Sequence, residues 1–68
     1  MENFKKNEMN YSEKIKEYRD KVLITQTELA NQLGVSFASV NRWEQGLFEP
    51  TMKSKRKLRK LFIEVGIG

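Results

Sequence analysis

The sequence predicts an all-α protein, a small four- to five-helix bundle built as one domain, and three observations carry that prediction. Cap and stop residues bracket stretches of helical length, with Thr25 and Gly34 around one, Ser36 and Gly46 around the next, and Thr51 heading a third. Apolar side chains recur at i, i+3, i+4 and i+7 in the stretches on either side of that central pair. The chain has 68 residues, room for one core near the lower size limit, where burial alone leaves stability marginal.

Residues 1 to 9 are polar and unpatterned, so disorder is expected there, with Phe4 the one residue able to dock. The folded domain is expected to span residues 10 to 66. Asn10 is a good N-cap and Glu13 stands at the capping-box position behind it. Ile15, Tyr18, Arg19 and Val22 then form an inward stripe, opposite Lys14, Lys16, Glu17 and Lys21. Arg19 is the odd member, because a charge among apolar neighbours must be paired or it costs several kcal/mol.

Val22-Leu23-Ile24 leads to Thr25, which with Glu28 makes a capping box and starts a helix at about Gln26. Leu29, Ala30 and Leu33 form its narrow apolar stripe, and Gly34 ends it. Val35 anchors the turn and Ser36 caps a second helix, Phe37 to Gln45, which Gly46 closes. Val40 is the one large aliphatic residue in that helix and must point inward. Glu44, four residues on, shares its face and is drawn half inside. The phase of these two residues therefore brings Glu44 to Arg19 as its partner. After Leu47 and Phe48, Pro50 forbids helix and Thr51 caps a last one from about Met52 to Glu64. Leu58, Leu61, Phe62 and Val65 face its core side, whereas Ile63 and Ile67 fall off that stripe and join Leu47 and Phe48 as spare apolar residues.

Composition closes several functional classes. Without cysteine or histidine the chain has no disulfide, no thiolate or imidazole metal site, and no Ser-His or Cys-His pair for nucleophilic catalysis. No catalytic residue, no metal and no cofactor is expected, and no enzyme activity. The first ten residues lack the apolar core of a signal peptide, and no run approaches the roughly 20 apolar residues of a membrane helix, so a cytoplasmic protein without membrane contact is expected. Net charge is +4, and Lys53, Lys55, Arg56, Lys57, Arg59 and Lys60 carry more than all of it. Such a run fits a polyanionic partner and equally well a solvated helix face.

The stretch TQTELANQLGVSFASVNRWEQG, from Thr25 to Gly46, resembles the helix-turn-helix of the Cro/C1 (XRE) family of phage and bacterial repressors. The resemblance rests on Thr25-Gln26, Leu29-Ala30, Gly34-Val35, Val40, Glu44, Gly46 and Pro50, reaches upstream to Arg19, and covers most of residues 12 to 62. It implies a lambda-repressor-like domain that binds double-stranded DNA in a sequence-specific manner as a small transcriptional regulator, a repressor acting by occupancy of its operator. Relatives commonly pair an arginine at the Arg19 position with a glutamate at the Glu44 position, the pair that the helix phase also selects. Many carry glycine where Leu23 stands, so Leu23 either accepts strain of order 1–3 kcal/mol or the connection takes a different path.

With Val40 and Glu44 inward, the opposite face presents Phe37, Ala38, Asn41, Arg42 and Gln45, which the resemblance places in the major groove. Arg42 can bond guanine bidentately, Asn41 adenine, and Phe37 or Ala38 can touch a thymine methyl. The other reading of Phe37 tucks it against the first motif helix. Gln26 stands at a helix N-terminus that favours a phosphate, and in the family this glutamine clamps the DNA backbone. Thr27, Ser36 and Ser39 are further phosphate candidates, each of which can be only a cap or a solvated hydroxyl. Trp43 is expected in the core, because duplex DNA offers no unstacked base. Many relatives dimerise through a fifth helix, and only four are visible here, so a weak homodimer formed on DNA is expected. Two other readings share the motif: an antitoxin-like module binding a protein partner, and the DNA-targeting N-terminal piece of a larger enzyme such as a DNA methyltransferase.

Overall fold

The structure, a computed structural model, describes residues 10–67, and the expectations for residues 1 to 9 lie outside it. Four helices follow one another: α1 (Tyr11–Val22), α2 (Gln26–Leu33), α3 (Phe37–Gln45) and α4 (Met52–Glu64). Among the described residues there is no strand and no helix long and apolar enough to cross a membrane. Each helix begins on the cap that its sequence carries. The side chains of Asn10, Thr25, Ser36 and Thr51 accept from the backbone N–H three residues on, and at Thr25 the Glu28 carboxylate returns the bond to complete a capping box.

The core gathers one stripe from each helix. Ile15, Leu29, Val40, Leu58 and Phe62 are wholly buried, with Tyr18, Ala30, Leu33 and Trp43 nearly so. Phe62 lies between the rings of Tyr11 and Tyr18, tilted to each, with centroids 6.3 and 6.0 Å away. Burial, helped by the charge of Glu64, raises the pKa of the Tyr18 hydroxyl above its ordinary value.

Two connections settle points that periodicity leaves open. Leu23 takes the left-handed conformation at φ 59°, ψ 54°, and the N–H groups of Leu23 and Ile24 turn back to the Arg19 carbonyl. Leu23 therefore accepts the strain, and its side chain is 86% exposed. Ile67 is not a spare surface residue, contrary to its position off the α4 stripe: it is buried in the core. The helix ends before reaching it, Gly66 turns the chain at φ 80°, and the Ile67 N–H bonds to the Phe62 carbonyl at 2.8 Å. Helical spacing stops applying past Glu64, so it cannot place Ile67. Leu47, Phe48 and Ile63 do remain exposed, as does Met52.

Candidate nucleic-acid interface

One carboxylate ties the helices around α3 together. Glu44, at the inner side of the last turn of α3, is only 5% exposed. Arg19 of α1 meets it with a fork of two bonds, Nε to Oε2 at 2.6 Å and Nη2 to Oε1 at 2.9 Å, and spends its third nitrogen on the Ile24 carbonyl at 3.2 Å. Gln26, the first residue of α2, donates from Nε2 to Glu44 Oε1 at 3.0 Å. The Glu44 backbone carbonyl, left over at the end of a helix, accepts from the Ser12 hydroxyl at 2.7 Å. Three helices thus converge on one residue, which fixes the rotation of α3 about its axis.

The electrostatics follow from that geometry. Burial pushes the Glu44 carboxyl upward, but hydrogen bonds from Arg19 and Gln26 and the charges of Arg19 and Lys16 outweigh it, so its pKa lies below the ordinary value. The hydrogen bond to Glu44 raises Arg19 in turn, against the opposing effect of burial. Both groups stay ionised together.

The α2–α3 turn is held at both ends. Gly34 ends α2 with φ 73°, and the Val35 N–H reaches back to the Ala30 carbonyl at 3.0 Å. Lys57 of α4 donates from Nζ to the Leu33 carbonyl at 3.1 Å, placing a cation at the negative end of the α2 dipole. Lys57 thus has a structural partner. Of the other α4 cations, Lys55 bonds to Glu49 at 2.9 Å and lies 5.4 Å from the Tyr11 ring centroid, whereas Lys53, Arg56, Arg59 and Lys60 are exposed.

With Val40, Trp43 and Glu44 buried, the outward face of α3 can be read off at about 100° per residue. Ala38, Arg42 and Gln45 lie within about 40° of directly outward and are exposed. Asn41 is nearer the flank and half-buried. Phe37 sits on the other side of that flank, closer to the packed face, yet as the first residue of α3 it remains 51% exposed. Ala38, Arg42 and Gln45 therefore lead the outward surface of α3, Asn41 borders it, and Phe37 lies beyond Asn41 toward the packed face. Trp43 lies in the core.

The phosphate candidates are less uniform. Thr27 is exposed at the start of α2, beside Gln26, which is half-buried and already engaged with Glu44 through one amide hydrogen. The Ser36 hydroxyl caps α3 by accepting from the Ser39 N–H at 3.1 Å, and the two serine hydroxyls share a hydrogen bond at 3.1 Å. Two further partners escaped sequence reasoning. Phe48 lies under the Arg42 guanidinium, 5.8 Å from it, and Ser12 reaches the Glu44 carbonyl. No spacing rule signals either, since both depend on how a turn or a neighbouring helix is directed.

Comparison with known proteins bears on the same segment. A family model described as helix-turn-helix matches residues 15–62. Over 54 residues the chain is 37% identical to the HTH-type transcriptional activator BcrR of Enterococcus faecalis. That alignment takes in 79% of this chain and 26% of the relative, so the chain spans about a quarter of that protein's length. No solved structure matches.

Proposed function

The chain belongs to the Cro/C1-type helix-turn-helix family, and from that premise we propose that residues 10–67 form a sequence-specific double-stranded DNA-binding domain of a transcriptional regulator, reading the major groove with α3. The observation that carries the reading is the division of α3 into two faces. One is locked by Val40, Trp43 and the Arg19–Glu44–Gln26 network, and the other presents Arg42, Gln45 and Ala38 to solvent, with Asn41 and Phe37 at its margins. Arg42 and Asn41 supply the forked donor and amide patterns that guanine and adenine edges accept, each contact discriminating by about 1–3 kcal/mol. Thr27, Gln26, Ser36 and Ser39 lie at the N-terminal ends of α2 and α3, where backbone N–H groups and the helix dipole favour phosphate oxygens. Gln26 retains one amide hydrogen and its carbonyl oxygen beyond the bond to Glu44.

Repression by operator occupancy is the simplest action for such a domain, which needs no cofactor for it, although the relative of known description is named an activator. Because the exposed large apolar side chains outside α3 are few among the described residues, namely Leu23, Leu47, Phe48, Met52 and Ile63, the free protein is a monomer or a weak dimer that pairs on a two-fold site. The greater length of that relative favours one second reading, in which this domain is the DNA-targeting module of a longer protein. Selection of bound duplexes from a random pool tests the proposal. A palindromic consensus with half-sites about one helical turn apart is expected, and a pool that emerges unenriched refutes it.

A further inference from the structure

Arg42 is the only arginine on the reading face of α3, and one ring lies against it. The contact arises from the chain's path after α3. Gly46 turns at φ 79°, its N–H bonds to the Trp43 carbonyl at 3.1 Å, and the Leu47 N–H bonds to the Arg42 carbonyl at 3.0 Å. A Cβ on Gly46 would meet nothing within 4 Å, so the glycine is required for its φ and not for space. The turn reverses the chain and brings the Phe48 ring, 60% exposed, to 5.8 Å from the Arg42 guanidinium carbon.

An exposed aromatic ring in a six-residue connection contributes little to the core. Its position has a chemical consequence for the guanidinium instead. Arginine donates in the plane of its guanidinium, so a ring that engages only the face of the group leaves its donors available. An unrestrained arginine must give up rotamer freedom when it binds a base edge, and a ring that already limits that freedom lowers the cost. We infer that Phe48 is a specificity-determining positioning residue, which holds Arg42 in the orientation from which it reads a guanine. The inference rests on the DNA-reading role proposed for α3.

The test combines a measurement without DNA and one with it. In the free protein, the Arg42 side-chain proton resonances carry an upfield ring-current shift that Phe48→Leu removes and Phe48→Trp retains. In titrations of the full chain at fixed salt, Phe48→Leu lowers affinity for the selected consensus by about two- to twelve-fold, the range for ordering one long side chain. Affinity for a scrambled duplex stays the same, and far-UV circular dichroism shows the variant folded. Phe48→Trp restores the preference, and in an Arg42→Ala background Phe48→Leu has no further effect on it. Equal losses on both duplexes, or an effect that persists without Arg42, overturn the inference by making Phe48 a general DNA contact. An unchanged preference in Phe48→Leu overturns it alone. Wild-type protein that shows the ring-current shift yet binds all duplexes equally overturns the DNA-reading assignment, and this inference with it.

Discussion

Replacing Arg19 by alanine takes from Glu44, 5% exposed in the intact fold, its charged partner and leaves the Gln26 amide as its remaining side-chain hydrogen bond. The size of the effect depends on which kind of ion pair this is. An exposed pair contributes about 0–1 kcal/mol, whereas removing one partner of a buried pair costs roughly 3–5 kcal/mol, because the remaining charge has no compensation. Arg19 is 25% exposed at its side chain and Glu44 6%, with two charge-assisted bonds at 2.6 and 2.9 Å, so the buried figure applies to the carboxylate. A domain of this length has a total stability of about 3–10 kcal/mol, so the loss takes up most of the stability at the lower end of that range and about a third to a half of it at the upper end. Urea unfolding followed by fluorescence of the single, buried Trp43 measures this directly. With a slope near 1 kcal/mol/M, the midpoint should fall by about 3 M or more, or the folded baseline should disappear. Replacing both partners with apolar residues, Arg19→Met with Glu44→Leu, should recover most of the loss. A decrease below about 1 kcal/mol for Arg19→Ala would refute the reasoning, since it would mean that water reaches Glu44 as it reaches a surface carboxylate.

The same pair sets a pH dependence. Glu44 has a lowered pKa in the folded state, so its contribution is fully present above its ordinary value of 4.5 and is lost as pH falls through the folded value. The stability difference between wild type and Glu44→Gln should shrink as pH is lowered below that value, and a constant difference would exclude the linkage. Leu23→Gly should stabilise by about 0.5–1 kcal/mol, because relief of left-handed strain of about 1–2 kcal/mol exceeds the 0.5–1 kcal/mol entropic cost of glycine while an 86% exposed side chain loses few contacts; thermal unfolding measures it. Arg42→Ala should abolish preference for a consensus over a scrambled duplex while retaining weak general affinity, and an unchanged ratio at fixed salt would remove Arg42 from the reading set. Charge reversal at Lys53 and Arg56, exposed cations in the first half of α4 that, unlike Lys57, do not bond to the end of α2, should weaken binding to all duplexes alike and flatten the salt slope; an unaltered slope returns that face to solvent.

The helices are legible in the amino-acid order alone, because their signals are local. Asn10, Thr25, Ser36 and Thr51 each satisfy N–H groups within the next turn, and Gly34 and Gly46 each tolerate a positive φ on their own account. Helix phase went further. Once Val40 had to face inward, Glu44 followed it and left Arg19 as the only charge on the α1 stripe able to meet it. Features that depend on the direction of the chain beyond a helix end, or on a neighbouring helix, emerge only from packing. Leu23 could end α1 with strain or take another path, and only the fold shows that it accepts φ 59°. Ile67 lies past the last helical turn, where a period of 3.6 has no meaning, and the Gly66 turn carries it into the core. Lys57 belongs to a basic run that reads as uniform, yet one lysine of that run bonds to the Leu33 carbonyl because α4 packs across the end of α2. Gln26 and Phe48 acquire their partners, Glu44 and Arg42, in the same way. These contacts form between residues whose separation in sequence carries no periodic signal, so only the packed chain can specify them.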